Sequence, residues 1–169
     1  IVFIRHPIER VYSIYRFCRA RKRYSGPVAD KARLLSLPDF IDWHLDIGSG
    51  NYFSKRLSEW RDDPEYQEKT QASRALETIH GLPFVGLVEC YDAALQSLHL
   101  LLSAEFPSIK LHSVQLNSTD RQSLTIESRL ENLSYLVGDR IYERLLKENE
   151  DDLDLYKTVH MAYGGGSLE

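Results

Sequence analysis

Cysteine is scarce. Cys18 and Cys90 are the only two in 169 residues, too few for a disulfide framework, and neither has a second cysteine or a histidine at zinc-finger spacing. That scarcity favours a reducing compartment and leaves no metal site to read from cysteine. Long apolar runs are missing as well. The stretch Leu98 to Leu102 is broken by His99 and falls far short of the roughly 20 residues of a membrane-spanning helix. Nor is there an excess of positive charge. With 21 Lys and Arg against 25 Asp and Glu, the formal net charge is −4, unlike a general nucleic-acid binder, so any anion site must be local. No repeat, low-complexity tract or interdomain linker interrupts the chain. What remains, 43% hydrophobic and 27% charged residues, fits one globular domain with a sizeable core.

The first residue is Ile1, inside an apolar run, so the sequence is expected to start within a longer natural protein. The last six residues, Gly164-Gly165-Gly166-Ser167-Leu168-Glu169, read as a flexible linker or cloning remnant, which leaves residues 1–163 as the domain. Asn117-Ser118-Thr119 and Asn132-Leu133-Ser134 match the glycosylation pattern, which matters only in a secreted or luminal protein.

Ile1 to Ile4 is a β-branched and aromatic run that reads as a buried strand, ended by Arg5-His6-Pro7. Proline suits the first turn of a helix. From there Ile8, Val11, Tyr12, Tyr15 and Cys18 recur at intervals of three and four, the spacing of one buried helical face. The helix ends in the basic cluster Arg16, Arg19, Arg21, Lys22 and Arg23 before Gly26-Pro27. A short helix is expected over 38–46 and a loop at Gly48 to Asn51. The polar stretch Arg61 to Glu65 reads as surface, and a helix over 70–80 is closed by Gly81. Phe84 to Glu89 is a second buried strand, followed by a helix over 91–102. Ile109 to Leu116 reads as a short strand, and 140–147 and 152–162 as helices. Strand followed by helix thus occurs twice, with long loops between, which predicts an α/β architecture: a parallel sheet flanked by helices.

The segment from Arg5 to Ser13 carries the most chemistry. Arg5 leaves the strand end, and Ser13 lies about two turns along the next helix. Helical side chains lean toward the N-terminus, so both groups can face one anion. Arginine offers a planar fork matched to phosphate oxygens, serine adds a donor, and the helix start adds positive potential. The alternative is structural: an arginine paired with a carboxylate, and a serine bonded to its own helix. Arg10 either supports that site or pairs with an acid such as Glu9. His6 reads as a cap or surface residue rather than a catalytic base.

An arginine at a strand end, proline two residues on, a second arginine at five and serine at eight resembles the 3′-phosphate-binding motif of sulfotransferases. These enzymes use 3′-phosphoadenosine 5′-phosphosulfate (PAPS). Gly50-Asn51-Tyr52-Phe53-Ser54-Lys55-Arg56-Leu57 and Phe84-Val85-Gly86-Leu87-Val88-Glu89-Cys90-Tyr91-Asp92 resemble segments of the carbohydrate-acting branch, in the same order and spacing. Asn117-Ser118 and Asp154-Leu155-Tyr156 are similar to later motifs.

The resemblance implies a P-loop-kinase-like parallel sheet flanked by helices, truncated at the N-terminus. It implies Arg5 and Ser13 as ligands of the 3′-phosphate, PAPS as co-substrate, an acceptor hydroxyl on a carbohydrate or other small molecule, and no metal. The family's phosphosulfate-binding loop and its catalytic base, a histidine or glutamate, belong to a region upstream of the arginine-to-serine motif, so no catalytic residue is assigned. Cytoplasm is the expected compartment, with the Golgi lumen as the alternative if an anchor precedes Ile1.

Two readings stand beside the enzyme: a non-catalytic adenine-nucleotide or anion-binding module, and an interaction domain built on the basic cluster. Phe17 and Tyr24 among those arginines could touch RNA, but a solvated helix end explains them more simply, and no nucleic-acid partner is expected. Glu89, at a strand end, reads either as a carboxylate base or as a structural hydrogen-bond acceptor. His44, His80, His99, His112 and His160 show no metal-ligand spacing. The acidic run from Glu148 to Asp154 reads as the start of the last helix.

Overall fold

The computed structural model describes residues 1–59, 61, 63–112 and 125–163. The chain opens with β1 (Val2–Ile4) and α1 (Pro7–Ala20), then continues through α2 (Pro27–Leu34), α3 (Leu37–Asp46), α4 (Tyr52–Ser58), α5 (Pro64–Glu68) and α6 (Gln71–His80) to β2 (Val85–Leu87). Four further helices follow: α7 (Tyr91–Ser103), α8 (Ile126–Val137), α9 (Asp139–Lys147) and α10 (Glu150–Tyr163).

β1 and β2 pair in parallel, with Val2 opposite Val85, Phe3 opposite Gly86 and Ile4 opposite Leu87. Gly86 makes room for an aromatic ring, since a Cβ there would lie 2.8 Å from Phe3 Cε1. The ring of Phe3 instead rests between Phe84 and Tyr91, at centroid distances of 5.7 and 5.3 Å.

These two strands of three residues are the whole sheet among the described residues. The expected P-loop-kinase-like parallel sheet flanked by helices is therefore overturned: the described residues are 68% helix, and the molecule is mostly helical. The physical reason lies between the strands. A layered α/β fold needs a sheet broad enough to bury helices on its faces, whereas here six helices separate β1 from β2 and pack largely on one another. Segments for which no helix is expected also fold as capped helices. Asp63 accepts from the Tyr66 N–H to start α5, and Thr125 from the Ser128 N–H to start α8. Residues 109–112 carry no strand, and the remainder of that expected strand, with Asn117-Ser118 and the terminal 164–169, lies outside the described residues.

Two main cores result. The first is helix on helix: Ile8 and Val11 of α1 pack with Phe40 and Ile41 of α3, Leu133 of α8 and Leu145 of α9. The second surrounds the strand pair, where Ile4, Val85 and Leu87 meet Ala75 and Ile79 of α6 and Leu155 and Val159 of α10. Gly138, at φ +77°, lets α8 end and α9 begin within one residue.

A reciprocal cap ties the middle of the chain to its end. The Phe53 and Ser54 N–H groups donate to the carboxylate of Asp152, at 2.9 and 2.7 Å. Asn51 returns the favour to α10, its Oδ1 accepting from the Asp152 N–H at 3.1 Å. Asp152 is buried, so its charge is balanced by the donors that open α4. The asparagine-containing segment from Gly50 is thus part of the scaffold. No helix among the described residues is long and apolar enough to cross a membrane.

Candidate functional site

Both strands end at one place. β1 runs into Arg5 and His6, β2 into Val88 and Glu89, and the Val88 N–H still bonds to Ile4 O at 2.9 Å. One residue further the ladder is continued by a side chain: the His6 N–H donates to Glu89 Oε1 at 2.8 Å. This fixes the turn into α1. Of the two readings of Glu89, the geometry therefore shows the structural one in use. His6 occupies the N-cap position of α1, but its side chain makes no capping bond.

Arg5 lies along the first two turns of α1. Residues four and eight positions on, Glu9 and Ser13, share that face of the helix. Arg5 Nη1 donates to Ser13 Oγ at 2.7 Å, and Nη2 lies 3.6 Å from Glu9 Oε2. The two groups expected to converge are thus in contact. The pairing with an acid, the structural alternative, is present too, but it occupies the other arm of the fork. One-third of the Arg5 side chain is exposed, while both arms of its fork are held by neighbours.

The surroundings set the protonation states. Burial, helped by the positive charge of Arg129, lowers the His6 pKa to about 4, so its imidazole is neutral at pH 7. The ring packs edge-on against Tyr156, centroids 4.9 Å apart. Burial raises the Glu89 pKa, opposed by the His6 N–H and by the charges of Arg5 and Arg129. Burial and the nearby Glu89 charge push the Tyr156 phenol up.

Arg10, whose role the sequence left open, takes part elsewhere. Its guanidinium stacks 4.0 Å from the centroid of the Tyr52 ring and reaches Ser49 O at 3.5 Å. Within the basic cluster at the end of α1, Arg19 is engaged, donating to Ala32 O at 3.1 Å, while Arg21, Lys22 and Arg23 are exposed. Among the described residues no group of three His, Cys, Asp or Glu side chains is placed to hold a metal ion.

Sequence reasoning missed Arg129. It reaches the site from α8, its Nε 3.3 Å from Glu9 Oε2. The helix itself could have been found, since Thr125 precedes Ile126, Leu130, Leu133 and Val137 at helical spacing. Its approach to Glu9 depends on packing that no local pattern encodes.

No family model matches the chain, and no solved structure matches it. It is similar to an uncharacterized protein of Archaeoglobus fulgidus, 28% identical over 169 aligned residues that cover 98% of this chain and 67% of the relative. That likeness brings no activity with it. The functional reading rests on the site.

Proposed function

We propose that the chain acts as a sulfotransferase, moving a sulfuryl group from PAPS to a hydroxyl of a carbohydrate or other small acceptor, with Arg5 and Ser13 holding the 3′-phosphate. The observation that supports this best is the 2.7 Å contact between Arg5 Nη1 and Ser13 Oγ. It lies at the carboxyl ends of two parallel strands and beside a helix start, where backbone dipoles also favour an anion. A phosphate oxygen entering there meets a planar cationic fork and a hydroxyl already in register.

In sulfuryl transfer the acceptor hydroxyl attacks sulfur, the bond from sulfur to the bridging phosphate oxygen breaks, and the hydroxyl proton passes to a base. Arg5 and Ser13 act on the distant phosphate, so they contribute affinity and orientation rather than bond breaking. Two thiols that form no disulfide suit the cytoplasm, which we assign as the compartment.

A second reading, a non-catalytic adenine-nucleotide-binding module, is favoured by one feature. The acids nearest the fork are engaged in structure, Glu9 with arginines and Glu89 with the His6 N–H. Sulfate transfer from labelled PAPS to a panel of hydroxyl acceptors separates the two: product identifies the enzyme, binding without product the module. For either reading, Arg5→Ala is expected to weaken 3′-phosphoadenosine 5′-phosphate by about 1.5–3 kcal/mol in calorimetric titration. Equal affinity in the variant removes Arg5 from the site.

A further inference from the structure

The far end of α1 carries charge of one sign. Between Glu9 and Asp30 the sequence has no acid, yet it places Arg16, Arg19, Arg21, Lys22 and Arg23 there, in a chain of net charge −4. The helix dipole and the bond to Ala32 O account for Arg19, in the last turn. Lys22 and Arg23 lie beyond it. The Tyr24 N–H donates to Arg21 O at 3.0 Å, which closes a tight turn with Lys22 and Arg23 at its tip. Arg33 reaches across from α2, donating to the same Arg21 O at 2.9 Å and to Tyr24 O. The tip is therefore held in place.

Among the described residues none of Arg16, Lys22 and Arg23 is in an ion pair, and Asp30, the next acid in sequence, is taken by Arg33 at 3.4 Å. Like charges held this close repel one another. An external anion relieves that repulsion.

Two aromatic rings stand among the cations. Phe17 and Tyr24 pack edge to face, centroids 5.5 Å apart, and remain 41% and 50% exposed. Every residue from Arg19 to Ser25 is exposed, so the turn forms a projecting corner. A single nucleic-acid strand is tracked by a groove lined with stacking rings. A corner with cations around exposed rings instead suits a plane, where the rings sit at headgroup depth and the cations meet anionic headgroups.

We propose that this corner docks the protein on an anionic lipid surface, with Lys22 and Arg23 against the headgroups and the Phe17 and Tyr24 rings at the interface. The inference is independent of the nucleotide reading, because the corner lies at the opposite end of α1 from Arg5 and His6. It gives a peripheral contact to a chain whose described helices do not cross a membrane.

The test is co-sedimentation of the full chain with vesicles. Phosphatidylcholine vesicles containing about 30% phosphatidylserine should bind it at about 0.1 M salt and release it at about 1 M, and pure phosphatidylcholine vesicles should leave it in solution. Lys22→Gln combined with Arg23→Gln should weaken binding about twentyfold, roughly a factor of five for each cation at the surface. Both side chains are exposed, so the melting temperature should not change. Tyr24→Ser should weaken binding severalfold, a loss that charge alone does not predict.

No binding to the anionic vesicles, or native binding by the double variant, would overturn the proposal. So would a chain that ignores the vesicles and retains single-stranded RNA through Lys22 and Arg23, which would assign the corner to nucleic acid.

Discussion

Gly50→Ala is expected to lower the melting temperature by about 10 °C, corresponding to a loss of roughly 4 kcal/mol for a chain of this length. A Cβ at this position would stand 2.1 Å from Glu148 O and 3.0 Å from Glu148 C. Both are backbone atoms, so no side-chain rotation relieves the clash. The chain must separate where α9 ends and α10 begins, which is also where the reciprocal cap sits. Asn51, the next residue, donates its N–H to Asn149 Oδ1 at 3.3 Å and its Nδ2 to Asp151 Oδ2 at 3.1 Å. Displacing Gly50 therefore strains the bonds that open α4 and α10 together, and the cost exceeds the 1–3 kcal/mol typical of overpacking. Gly48 supplies the control. Its φ is +76° but nothing lies within 4 Å of the Cβ position, so Gly48→Ala should cost only the backbone preference, about 1 kcal/mol. Urea unfolding of the two variants measures the difference. Equal losses would show that conformational preference, not the close approach to Glu148, governs this loop.

Acid should destabilise the fold well before its carboxylates are protonated. His6 and His44 are both held neutral by burial, with pKa values lowered from 6.5 to about 4, His6 also by Arg129 and His44 by Arg10. In the unfolded chain each takes up a proton near pH 6.5; in the native chain it does not until about pH 4. The unfolded state thus binds more protons within that window, and stability falls as pH falls from 6.5 to 4, by about 3 kcal/mol for each histidine. Glu89 acts in the opposite direction. Its pKa is raised in the folded state, so the native chain takes the proton first and gains stability as pH falls through that raised value. Asp42 and Glu77, whose pKa values are lowered by Arg144 and Lys69, add to the acid loss at lower pH.

His44 isolates one part of this slope. Its ring stacks on Phe40, centroids 5.3 Å apart, and both ring nitrogens are buried without a hydrogen-bond partner. His44→Phe keeps the shape and removes the titration. The stability difference between pH 7 and pH 4.5 should shrink by about 2–3 kcal/mol in urea unfolding. An unchanged slope would mean that His44 is protonated in the folded state.

The local elements were legible because their information is local. Ile8, Val11 and Cys18 mark one face of α1, and the β-branched runs around Ile4 and Val85 mark both strands. Helical spacing allowed the Arg5 and Ser13 contact but equally an arginine–carboxylate pairing, and both are present. The width of the sheet did not, because strand number depends on distant pairing, and two strand-helix units satisfy many architectures besides a layered one. The polar stretch Arg61 to Glu65 shows no helix in the sequence for a related reason. In α5 the single buried anchor is Tyr66, whose hydroxyl bonds to Leu57 O, Arg74 O and Thr78 Oγ1; five residues offer no periodicity to detect. Asp152 shows how a correct reading can remain partial. It does lie in the first turn of α10, but its carboxylate serves α4. Arg129 belongs to the same class, a residue whose position is local and whose partner is not.

The most direct test of the anion site is a crystal structure of the chain with 3′-phosphoadenosine 5′-phosphate. The 3′-phosphate is expected between Arg5 and Ser13, with its oxygens about 2.7–3.0 Å from the Arg5 guanidinium nitrogens and Ser13 Oγ. A nucleotide bound elsewhere, with the Arg5 to Ser13 hydrogen bond undisturbed, would contradict the account.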